Sequence, residues 1–216
     1  MNIQLQILPL LSVLVLFLVA PVVIILAVSF WDYTEFSLIP DFVLTNYIEI
    51  FESGVTYSTY LNTFKFAFLG WLFTVIIGFT LAYFLAFHVR TLRWQIILFL
   101  ICTIPFWTSN IIRMIAWIPV LGRNGLMNSL LLELGVISEP LEWLLYSDFA
   151  VILAFVHLYT LFMLVPIFNS MMRIDKSIIE AAQDMGANSV QILINVIVPL
   201  CLPGIAIGTI FVVSLI

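Results

Sequence analysis

Apolar residues along this chain are gathered into long blocks separated by short polar stretches. Residues 7–30 form the first block, 24 positions without a charge. Further blocks fill 66–87, 94–117 and 149–172, and a last one begins at 192 and reaches 216. A hydrocarbon core of about 30 Å takes about 20 helical residues at about 1.5 Å each. The first four blocks meet that length. The pattern therefore predicts an all-α, polytopic transmembrane helical bundle. In the last block Pro199 and Pro203 are expected to bend or restart the helix. Counted from Leu202, only about 22 Å of helix remains. Five spans are expected, the fifth cut short, in a single transmembrane domain over 1–216 that is truncated at its carboxyl end. Met1–Gln6 carries no Lys or Arg, and the first block is too long for a cleaved secretion signal. It reads as a retained span.

The connections carry the charge. Residues 88–93 hold Arg90 and Arg93, and residues 173–191 hold Arg173 and Lys176. Alternating spans put these two connections on one side. Residues 31–65 have no basic residue before Lys65, and 118–148 have only Arg123. The positive-inside rule then places the amino terminus in the cytoplasm. The other face collects Asp32, Glu35, Asp41, Glu49, Glu52, Glu133, Glu139, Glu142 and Asp148. Trp31, Tyr33, Trp94, Trp117, Trp143 and Tyr146 fall near span ends, as interfacial anchors do.

Composition strengthens this reading: 64% of the 216 residues are hydrophobic and 9% charged, against about 25% charged in soluble domains. No basic run exists to hold nucleic acid. Cys102 and Cys201 sit inside apolar blocks without a C-x-x-C pair, so neither a disulfide framework nor a metal knuckle is expected. His88 and His157 have no ligand spacing to a Cys or carboxylate, and no nucleophile–base pair can be assembled. No enzyme activity, cofactor or metal is expected.

Residues 177–189, Ser-Ile-Ile-Glu-Ala-Ala-Gln-Asp-Met-Gly-Ala-Asn-Ser, hold the most specific pattern. Ser177 and Glu180 have capping-box spacing, which predicts a helix start at Ser177. Gly186 suits the left-handed residue that ends a helix. Asn188 or Ser189 suits the cap of the next one. Ala181 and Ala182 are expected to keep one helix side thin, so that a partner's groove can approach, with Ile178, Ile179 and Met185 as apolar contacts.

Glu180-Ala181-Ala182, then Gly186, then Val196 and Val198-Pro199 resemble the EAA loop of binding-protein-dependent ABC permeases. The family pattern has Ile and Leu where this chain has Val196 and Val198. Ile104-Pro105-Phe106-Trp107-Thr108-Ser109-Asn110-Ile111-Ile112-Arg113 is similar to the third span of the spermidine/putrescine (PotB-type) permease family. Asn124-Gly125-Leu126-Met127-Asn128 and Leu134-Gly135-Val136-Ile137 match it as well. The resemblance implies the type I ABC importer permease fold with six spans, and a place in a bacterial inner membrane. It implies a second permease subunit, a cytoplasmic ATPase dimer and a periplasmic solute-binding protein as partners. Residues 173–191 would be the cytoplasmic coupling loop, with Glu180, Ala181, Ala182 and Gly186 docking in the ATPase. The cargo implied is spermidine or putrescine, with an opine or amino-acid derivative as the alternative. Consistently, no G-x-x-x-x-G-K-[ST] phosphate loop is present, so ATP hydrolysis falls to another subunit.

Polar groups in lipid are costly and face the protein interior or a water path. Trp107, Asn110, Arg113 and Tyr159 are the candidates for a substrate pathway. Asn110 and Arg113, three apart, share a helix face. The alternative is a hydrogen-bonded helix interface with Arg113 reaching outward. His157 invites a proton-relay reading, in the manner of a secondary transporter. No intramembrane Asp or Glu accompanies it, and a hydrogen bond to a neighbouring helix is the expectation.

Overall fold

The computed structural model describes residues 3–216, with side chains from residue 7 on, and divides into two compact units, 1–61 and 62–216. In the first unit Ile3–Leu14 continues through a π-turn (Val15–Val19) into Ala20–Val28. Its membrane-length part is Ile7–Val28, with a mean hydropathy of 3.2 and no buried side chain. A helix apolar on all sides suits a membrane span. A small hairpin follows, an element outside the all-helical expectation. Strand β1 (Asp32–Thr34) pairs antiparallel with β2 (Ser37–Ile39), Tyr33 opposite Leu38. The Thr34 and Ser37 hydroxyls close its turn at 2.7 Å. Phe30 stacks on Phe42 at 4.7 Å, and Asn46 Nδ2 donates to the Trp31 carbonyl at 2.9 Å. These contacts give the backbone after the first span its hydrogen-bond partners.

The second unit holds the core. The helix beginning at Gly54 runs to Tyr83 and through a π-turn to His88, 35 residues against the 22 expected from 66–87. Asp148–Met171 is the fourth span, its start capped by Ser147 Oγ, which accepts from Ala150 N at 3.3 Å. The last span departs from expectation. Ser189–Ile192 passes through a π-turn (Leu193–Ile197) directly into Val198–Leu215. Pro199 stands in the first turn after the π-segment, where a missing N–H is tolerated, and the helix carries on through Pro203. The prolines therefore do not restart it. Ser189–Leu215 is a continuous span of 27 residues, about 40 Å, and the shortness counted from Leu202 does not hold.

The third span is also corrected: 94–117 is not one helix. Leu92–Trp107 and Asn110–Glu133 meet at a bend of 93°. The 3-10 turn Ile104–Trp107 ends at Thr108, whose hydroxyl and N–H both bond back to the Pro105 carbonyl. That local bond competes with the helical ladder. Beyond the bend, Asn128 is fully buried and holds the loop over 122–141 from within, accepting from Leu141 N and donating to the Leu141 and Gly122 carbonyls. Among the described residues four helices are thus long and apolar enough to cross, and the bent pair adds a fifth if its two halves form one broken span.

The fourth and fifth spans pack at glycine clearance. A Cβ on Gly204 would stand 2.5 Å from the Pro166 carbonyl oxygen, and one on Gly208 2.6 Å from Met163 Sδ. Gly78 of the second span meets Met163 from another side, at 3.0 Å. Gly204-x-x-x-Gly208 is the small-residue spacing by which helices in lipid gain van der Waals contact. The buried cluster joins Ala82, Met163, Leu164, Ile167, Cys201 and Val212 with Ala182 and Ile192. Gly204→Ala is expected to destabilise the protein by about 1–3 kcal/mol through overpacking, measured as a lowered Tm in detergent. Gly54→Ala, where a Cβ meets nothing within 4 Å, should leave Tm unchanged.

Candidate coupling segment and transmembrane cleft

The segment after the fourth span is built as expected in all but its first cap. The helix is Lys176–Asp184, and Asp175 caps it, its Oδ1 accepting from Ser177 N at 3.0 Å. Ser177 is therefore inside the helix, and the box foreseen with Glu180 does not form. Asp175 wins because its carboxylate is an acceptor for the free N–H groups at the positive helix end. At the other end Gly186 has φ +83. Gly186 N donates to the Gln183 carbonyl at 2.8 Å and Ala187 N to that of Ala182 at 3.0 Å, a Schellman closure. Asn188 and Gln191 then form a reciprocal capping box, each bond 2.9 Å.

Glu180, Ala181 and Gly186 are exposed, as is Met185. Ala182 is buried in the core, so the two alanines do different work. Ala181 keeps the outer side thin, and Ala182 lets the helix lie close on the spans. Ile179 likewise packs against the core, leaving Ile178 and Met185 as the outward apolar contacts. Beside the helix runs a groove of about 790 Å³, lined by Arg90, Gln95, Lys176, Ile179, Glu180 and Gln183 among others. The two basic connections thus meet at one end of the bundle. At other ends of the spans Lys65 pairs with Asp148, and Arg123 with Glu142 at 3.1 Å. Both of these cations therefore have an acidic neighbour.

The pathway candidates do not converge. Trp107 is 84% exposed. Tyr159 spends its hydroxyl on the Leu215 carbonyl at 2.9 Å, tying the fourth span to the fifth. Asn110 is exposed and accepts from Arg113 Nη2. Of the four, only Arg113 lines the cleft of about 490 Å³ among the second, third and fourth spans. The shared face of Asn110 and Arg113 is as foreseen, but Arg113 is buried rather than reaching outward. Trp117 and His157 complete this cleft: Trp117 Nε1 donates to His157 Nδ1 at 3.2 Å, ring edge to face at 90°. His157 is therefore bonded to a neighbouring element, and the relay reading gains no acidic companion among the described residues. Trp117 was legible only as an interfacial anchor, because its partner His157 lies 40 positions further along the chain.

No protein-family profile matches the chain. Among solved structures, a bacterial ABC transporter involved in import of the acidic polysaccharide alginate superposes with a TM-score of 0.76 at 20% identity, over 97% of this chain and 71% of that one. The same kind of transporter, in complex with an alginate-bound periplasmic protein, gives a TM-score of 0.77. The helix arrangement is that of an ABC importer permease. Among curated proteins, the spermidine/putrescine transport system permease protein PotB of Salmonella typhimurium (strain SL1344) is 34% identical over 200 residues, 92% of this chain and 68% of the relative. PotB of Escherichia coli (strain K12) is likewise 34% identical, over 71% of its length, and that of Haemophilus influenzae 31%, over 69%. The chain belongs to the spermidine/putrescine ABC transporter permease family. It is a multi-pass inner-membrane transport component.

Hydrogen bonds from Ser177 hold the Asp175 carboxyl below its ordinary value. Its support of the helix is therefore complete above that ordinary value and is lost as pH falls through the lowered one. Asp175→Ala is expected to speed amide exchange over residues 176–184 at neutral pH, and the difference from the unsubstituted protein should close on acidification.

Proposed function

We propose that this chain is one of two permease subunits of an ABC importer for small aliphatic polyamines, with spermidine and putrescine the best candidates. A cytoplasmic ATPase dimer docks on Glu180, Ala181 and Gly186, and a periplasmic binding protein delivers the cargo. The amino terminus lies in the cytoplasm, the side to which Arg90, Arg93, Arg173 and Lys176 assign the coupling segment. The cargo follows from kinship with the spermidine/putrescine permeases.

The observation that carries the mechanism is the way the segment is mounted. Its outer face is free, while Ala182 and Ile192 are sunk in the same core as Met163, Ile167 and Cys201. Asp175, Gly186 and Asn188 close the backbone bonds at every helix end. A push on Glu180 or Met185 is then transmitted to the fourth and fifth spans rather than absorbed by fraying. ATP-driven closure of the ATPases would rock those spans between inward-open and outward-open states.

Glu180→Lys and Gly186→Val are each expected to abolish ATP-driven putrescine uptake into proteoliposomes holding the complete transporter, while the subunit still inserts. Lysine reverses the docking charge. Valine cannot adopt φ +83 without strain, although a Cβ there meets nothing within 4 Å. Normal uptake by both variants would remove the coupling role.

A further inference from the structure

Among the described residues Arg113 is the charged side chain that lies buried. It is 7% exposed, and its Nε is buried with no acceptor. Its single hydrogen bond goes to the neutral Oδ1 of Asn110. A guanidinium does not give up its proton, so the charge persists and calls for a counter-charge. The chain has 12 acidic residues. Among the described residues the ion pairs are Lys65–Asp148 and Arg123–Glu142, and neither serves Arg113.

Two outside sources fail on physical grounds. His157 and Thr160, which share the cleft with Arg113, lie nine and twelve residues into the helix Asp148–Met171. At about 1.5 Å per residue they stand roughly 14–18 Å from its end. That is the middle of a core about 30 Å thick, out of reach of lipid phosphates. A polyamine is itself cationic and would be repelled. What fits is a carboxylate carried on a protein side chain at that depth. The cleft offers it a second donor. Because His157 Nδ1 accepts from Trp117, the imidazole is neutral and its proton sits on Nε2. Phe106, Leu161 and Leu164 supply apolar walls, which strengthen an ion pair by excluding water.

We propose that this cleft receives an aspartate or glutamate side chain of the second permease subunit, which pairs with Arg113 in the middle of the membrane. The proposal rests on the reading of this chain as one of two permease subunits. The pair would join the subunits beside the translocation path and cancel a charge that would otherwise oppose a cationic cargo.

The test uses the complete transporter with a tag on this chain, measuring co-purification of the second permease subunit, and the tagged chain alone, measuring Tm. Arg113→Met removes the charge at similar length. It should leave the Tm of the lone chain unchanged or raised, because an unpaired charge is lost, and lower recovery of the partner roughly tenfold. Arg113→Glu should lower recovery further. Converting each membrane-embedded acidic residue of the partner to arginine should restore it at one position only. A lower Tm of the lone chain with unchanged recovery overturns the proposal in favour of an internal packing role. Unchanged recovery with altered discrimination between putrescine and 4-aminobutyrate overturns it in favour of a cargo site. Absence of polyamine uptake by the unsubstituted transporter refutes the importer reading instead, and the recovery measurements stand apart from it.

Discussion

Two helices lie so close that no side chain fits between them at Gly204 and Gly208, and much of the molecule's organisation follows. In lipid there is no water to expel, so helix pairs gain free energy from contact and from the absence of protruding side chains. Met163 and Pro166 of the fourth span occupy the space that a Cβ would need. The segment between these two spans is the one proposed to couple to an ATPase. Ala182 and Ile192 anchor it in the same core as the spans, which gives its nine-residue helix the firm mounting that the proposed lever role needs. Ala182 extends the same logic outward, as a small residue that lets this helix settle on the core.

The second constraint is that backbone groups in a membrane need internal partners. The chain meets it without straight helices. Three π-turns interrupt the spans, at Val15–Val19, Phe84–His88 and Leu193–Ile197. The last stands directly before Val198-Pro199, so the proline falls where its missing N–H costs least. The break at Thr108 is met differently, by hydroxyl and amide bonding back to one carbonyl. Helix irregularities here are placed where local chemistry supplies the bonds that regular geometry would have supplied.

Charge follows the same economy. Lys65 and Arg123 each sit beside a carboxylate in exposed settings where such pairs contribute little. Arg113 sits where a pair would contribute most and has no carboxylate of its own chain among the described residues. The contrast locates an incomplete electrostatic environment in the third and fourth spans, at the depth where transporters of several folds place cargo or partner contacts.

Block length was enough to read the membrane class, the helical architecture and the approximate place of each span, since hydrocarbon thickness sets a minimum helix length irrespective of packing. Gly186 and Asn188 were legible too, because caps and left-handed glycines depend on neighbours a few residues away. The cap at Asp175 was misassigned to Ser177, as both can accept from the first turn and only the backbone path decides. The bend after Trp107 and the continuity through Pro199 rest on local backbone bonding that block length does not record, whereas the burial of Arg113 depended on contacts between residues far apart in the chain. Trp117 with His157, Tyr159 with Leu215, and Gly204 with Pro166 each join different spans. Those pairings are set by how helices pack against one another, and a single linear pattern of apolar positions carries no record of which faces meet.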